Sequence, residues 1–147
     1  MNKLVYRYDD INVADMNGGA TATIALTKRV VVKETACYLW SIYAGMNPEY
    51  YEITDYDRAC ANKPHYKGQV IKTRKGAVIS RYSETPVKAL AAWRTRKHYQ
   101  LKRLELALER VRLCVDQYDA GAPWNVCPQT IYCGTGPVMS QYDWREI

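Results

Sequence analysis

No glycine or proline interrupts the chain between Val87 and Tyr118, and that single feature restricts its folds more than any other. Thr85 followed by Pro86 opens the stretch as a helix start. Threonine can accept from the unpaired first-turn amides, and proline carries the φ of a first helical position. The pattern predicts a helix over 86–118, about 50 Å long at 1.5 Å per residue, which exceeds the width of a small domain. Along it Leu101, Leu104, Leu108, Val111, Val115 and Tyr118 recur at alternating steps of three and four. That is an apolar seam, able to lie on the domain's own sheet or to pack against a second copy. Leu101, Leu104, Leu108, Val111 and Val115 are the candidate self-association residues. Toward the amino end the seam breaks at Arg94 and Lys97.

Before the helix the pattern is that of strands. Leu4 to Tyr8 alternates large side chains before Asp9 and Asp10, and a turn-rich stretch ends at Gly18 and Gly19. Thr21 to Lys33 sets threonines against Ala22, Ile24 and Leu26 and continues through Val30, Val31 and Val32. It predicts a strand or a bent pair. Cys37 to Tyr43 is rich in aromatic and β-branched residues and predicts a third strand. Val70–Thr73 and Ala77–Arg81 flank Arg74-Lys75-Gly76, where glycine can take the positive φ of a tight hairpin. After Asp119 six glycines and prolines break any regular element. Trp124, Ile131, Tyr132, Val138, Tyr142 and Trp144 nonetheless need cover, so an irregular tail wrapped on the body is expected.

The chain of 147 residues is the size of one domain. The expected class is α+β: a small antiparallel sheet or partly open barrel in 1–82, one long helix over 86–118, and the wrapped tail in 119–147. No run approaches the length of a membrane-spanning helix, and the first ten residues lack the pattern of an export signal. The five cysteines, Cys37, Cys60, Cys114, Cys127 and Cys133, are odd in number and scattered, so a reducing cytoplasm is the expected compartment. Cys60, His65, Cys127 and Cys133 contain no close ligand pair of the kind structural zinc sites use, and no metal or cofactor is expected.

Charge is unevenly divided. Arg58 to Arg103 carries thirteen lysines and arginines against the single acid Glu84. The rest of the chain is net acidic, with Glu49, Glu52, Asp55 and Asp57 grouped among Tyr50, Tyr51 and Tyr56 in a loop or short edge element. The chain has no GxSxG, HExxH or P-loop motif, and its two histidines, His65 and His98, fall in no recognised catalytic pattern. No catalytic residues are assigned, and a non-enzymatic role is expected. Gly134-Thr-Gly-Pro137 has no strand-to-helix context and fits a tight turn better than a phosphate cradle.

Binding is better supported. Arg96, Arg103 and Arg110 are seven apart and share a helix face, with Tyr99 between the first two. Lys88, Arg94, Lys97 and Lys102 widen the stripe, and Lys72, Arg74, Lys75 and Arg81 extend it from the hairpin. Such a surface follows phosphates without choosing sequence. Trp93, Tyr66, Tyr82 and Tyr99 interleave with it and could stack on unpaired bases.

A basic hairpin (YKGQVIKTRKGAVISRYSETP) that runs straight into a charged helix (VKALAAWRTRKHYQLKRLELALERV) resembles the small accessory proteins of tailed bacteriophages. The resemblance covers Lys67 to Val111 and carries over no functional residue. It implies a viral protein of the host cytoplasm that binds nucleic acid, or binds a host nucleoprotein or defence complex. The alternative is an inhibitor or adaptor of a host enzyme that uses the acidic and aromatic surfaces. A small hydrolase or nuclease with an unrecognised site is the third reading.

Overall fold

The structure, a computed structural model, describes residues 1–14, 16–62, 69–121 and 130–141. The residues group into two compact units, Met1–Arg96 and Lys97–Ile147.

The first unit is built on a four-stranded antiparallel sheet, curled as a half-barrel, in the order β1 (Leu4–Ala14), β2 (Ala20–Glu34), β3 (Tyr38–Ile42) and β4 (Val70–Arg74). β1 runs past the expected turn at Asp9 and Asp10. Asp9 takes the Arg7 Nε at 2.6 Å, and beyond it Ile11 faces Thr23 and Val13 faces Thr21, pairs with high strand preference. β3 pairs with β2 only over Val30–Glu34. The distal half of β1 and β2 therefore forms a two-stranded ribbon, with Ile11, Val13 and Ile24 close to half exposed.

A register shift between Val31 and Lys33 lets β2 keep its apolar side chains on the core through the bend. Val5, Val31, Leu39, Ile71 and Tyr82 form that core on one face. Val30 and Ile42 lie on the other face, and Cys60 of α1 (Asp55–Cys60) shares a concavity with Ile42 and Val70. α1 starts with a capping box. Thr54 accepts from the Asp57 N–H, and the Asp57 carboxylate accepts in return from the Thr54 N–H at 2.9 Å. A 3-10 turn at Pro48–Tyr50 precedes it. The acidic segment is thus two short helical turns where a loop or edge element is expected.

The expected hairpin partner Ala77–Arg81 is not a strand. Gly76 does take φ +69°, but β4 pairs with β3 alone, with Tyr38 opposite Arg74 and Ile42 opposite Val70. The chain after Gly76 instead turns inward. Ser80 Oγ donates to the Tyr82 carbonyl at 2.6 Å, and Tyr6 and Ser83 exchange both backbone bonds at 2.8 and 2.9 Å.

α2 spans Pro86–Asp119, matching the expected helix. Its cap is the predicted one, with the Lys88 N–H donating to Thr85 Oγ1 at 3.3 Å. Ala89 and Ala92 are its buried residues, small enough to let the helix backbone approach the core closely. The second unit holds the rest of α2 and the tail, in which α3 (Pro137–Ser140) is the described helix.

Candidate nucleic-acid interface

Alternation along β3 sends Leu39 and Ser41 into the core and Tyr38 and Trp40 to the opposite, partly exposed face. β4 follows the same rule, burying Ile71 and Thr73 and exposing Lys72 and Arg74. The registers Lys33 with Trp40, Trp40 with Lys72, and Tyr38 with Arg74 then gather three cations and two aromatic rings across three strands. The rings sit 6.2 Å apart at 58°. Lys72 Nζ lies 4.1 Å from the Tyr38 centroid and 5.2 Å from that of Trp40, and Lys33 Nζ lies 4.9 Å from Trp40. Lys33 also donates to the side-chain carbonyl of Asn62, at the end of α1.

The arrangement offers flat π faces edged by movable positive charge. A cation over an exposed ring contributes about 0.5–1 kcal/mol, whereas a nucleobase stacked on an aromatic side chain contributes about 1–3 kcal/mol. By these magnitudes stacking exceeds the contact that Lys72 makes with the rings.

The other sequence-predicted residues scatter. Lys75 is tied to Glu34, which also receives Lys3 at 2.8 Å. Arg81 and Lys88 are exposed, as is Arg94. Arg96 is partly buried and donates to the carbonyls of Ser80 at 3.2 Å and Tyr8 at 2.9 Å, so it braces the fold and does not belong to an open stripe. Burial and the nearby Arg7 pull its pKa below the ordinary arginine value. Lys97 donates to Gln100 Oε1 at 2.7 Å. In the second unit Tyr99, Lys102, Arg103 and Arg110 are exposed. Among the interleaved aromatics Tyr82 is a core residue with Arg29 stacked 5.6 Å from its ring, and Tyr66 lies outside the described residues.

Charge runs and helical spacing do not single out Lys33, Tyr38 and Trp40. The signal was present in the period-two pattern Tyr38, Trp40, Ile42 against Leu39, Ser41. What was lacking was the pairing that sets those rings beside Lys72, since Lys33 lies outside the basic segment.

The acidic stretch is occupied with its own fold. Glu49 accepts from Lys28 at 2.7 Å, and Asp57 takes the Tyr51 hydroxyl at 3.1 Å besides its capping bonds. Two of the four side chains imagined for a metal, His65 and Cys127, lie outside the described residues, and no group of three or more His, Cys, Asp or Glu converges among the described ones. A cleft of about 250 Å³ opens between Leu39, Arg74, Ser80, Lys88 and Ala92, below the usual range for a drug-sized ligand. No described helix is long and apolar enough to cross a membrane. No family model matches the chain, and neither a curated protein nor a solved structure matches it.

Proposed function

We propose that the chain is a non-catalytic binding protein, of the kind that small phage accessory proteins provide, and that its ligand is single-stranded nucleic acid held across the outer face of β2, β3 and β4. The observation that carries this reading is the Lys33, Trp40, Lys72, Tyr38, Arg74 cluster: two rings to stack on bases and three cations to meet phosphates. A duplex would hide its bases from such rings, so unpaired strands are favoured. A nucleoprotein complex with exposed single strand is a ligand of the same chemistry. The inhibitor reading has less support, because Glu49 and Asp57 already serve Lys28 and the α1 cap.

The test is fluorescence anisotropy with a labelled oligothymidylate, a hairpin duplex as control, and the purified protein freed of nucleic acid by nuclease and high salt. Tight binding of the single strand at low salt is expected, weakened about tenfold or more in Trp40→Ala, one stacking contact being lost. Absence of binding at low salt, or equal affinity of parent and a folded Trp40→Ala, overturns the proposal. Capture of one protein partner by the nuclease-treated parent, with no oligonucleotide binding, would put the inhibitor reading in its place.

A further inference from the structure

The apolar seam of α2 is not buried. Leu101, Leu104, Leu108, Val111 and Val115 are each between 51 and 59% exposed, and Val111, Val115 and Tyr118 line a groove with Cys114. The helix does receive cover in this unit, but on the other side. Glu109 accepts from the backbone amides of Val138 and Met139 at 2.9 and 2.6 Å, which anchors α3. Leu106, Leu113 and Gln117 are partly covered, and at 100° per residue they point away from the seam. Among the described residues, α3 takes one face of α2, and the seam residues on the opposite one are exposed.

The charges beside the seam say what fits there. With Leu101, Leu108 and Val115 as a positions and Leu104, Val111 and Tyr118 as d positions, the e positions are His98, Glu105, Arg112 and Asp119. In a parallel pair the flanking contacts join Gln100 to Glu105, Ala107 to Arg112, and Cys114 to Asp119, with no opposite charges. In an antiparallel pair each a side chain meets a d side chain. Leu108 then faces Val111, Leu104 faces Val115, and Leu101 faces Tyr118. That same register sets Glu105 against Arg112 and His98 against Asp119, each twice by symmetry. One alignment therefore fills every apolar layer and pairs Glu105 with Arg112 twice. The six seam residues are each more than half exposed, so pairing covers one continuous apolar strip on each copy.

We propose that the chain pairs with a second copy of itself through this seam, as an antiparallel helix pair in which Leu108 packs on Val111 and Glu105 meets Arg112 of the other copy. The proposal does not depend on nucleic-acid binding.

Sedimentation velocity on the full chain, free of nucleic acid, tests it. The parent at tens of micromolar should sediment at twice the 16.9 kDa chain mass, and Leu108→Glu should be a monomer with unchanged circular dichroism. Glu105→Arg and Arg112→Glu, both at exposed positions, should each weaken pairing about tenfold, since two like-charge contacts replace two attractive ones. Mixing those two single variants should restore a heterodimer, because both 105–112 contacts are again opposite in sign. A monomeric parent, or mixing that restores nothing, overturns the proposal. Should Leu108→Glu fail to fold, the charge pair decides alone. A parent that binds a different protein and never itself gives the seam to that partner and also overturns it.

Discussion

The guanidinium of Arg96 donates to the carbonyl oxygen of Tyr8 at 2.9 Å, across 88 residues of sequence. A second bond from the same group reaches Ser80, so one helix side chain holds the middle of β1 and the segment that leads into the helix. Arg96→Ala leaves both carbonyls without that donor. It should lower unfolding stability by about 1–3 kcal/mol, read by thermal or urea denaturation. Arg103→Ala, at an exposed helix position, should stay within about 0.5 kcal/mol of the parent.

Salt dependence should identify the cations that touch phosphate. For single strands each contact contributes about 0.7 to the slope of log affinity against log salt. Replacing Lys72 and Arg74 by alanine should therefore flatten the slope by about 1.4 if both contact phosphate. The same replacement of Arg94 and Lys97 should leave the slope unchanged. The measurement is a titration at several salt concentrations, and equal effects in the two double variants would remove the sheet face from the interface.

Acid should weaken the first unit through Glu34. Hydrogen bonds from Lys3 and Lys75 hold its carboxyl below the ordinary 4.5, and Lys28 does the same for Glu49. A depressed folded pKa gives a contribution that is present above the unfolded value and lost as pH falls through the folded one. Stability should thus decline as pH is lowered through the carboxylate range, and Glu34→Gln should show a shallower decline in urea midpoints at matched pH. Lys3 is raised by its bond to Glu34, so its contribution holds below the unfolded lysine value and fades as pH rises through the folded one.

Gly76 adopts φ +69° with open space where a Cβ would stand. Gly76→Ala meets no clash and should cost about 1–2 kcal/mol from the left-handed backbone alone. Gly136 behaves differently. A Cβ there would fall 2.1 Å from Glu109 Oε1, so Gly136→Ala should loosen α3 from Glu109 and raise protease sensitivity in the 130–141 region.

The helix, its Thr85 cap, the four strands, β1 only as far as Tyr8, and the glycine turn at residue 76 were legible because each rests on neighbours in sequence. The α+β class followed from them. The Ala77–Arg81 strand failed because alternation cannot reveal that the chain leaves β4 to bridge Ser83 to Tyr6 of β1. The basic face was half legible. Lys72 and Arg74 stood out by charge, but Tyr38 and Trp40 join them only through cross-strand register, which no local pattern encodes. Arg96 misled for the opposite reason, since its spacing matched Arg103 and Arg110 while a distant carbonyl claimed it.

The ribbon formed by the far ends of β1 and β2 has ladder bonds but no third strand and little buried apolar surface. Its local opening therefore needs far less free energy than global unfolding, and its amides should exchange with deuterium well before those of β3. Its turn at Met16–Gly19 is exposed, so a reporter peptide spliced in there should leave the half-barrel intact. The protein thus carries its own attachment point for a label.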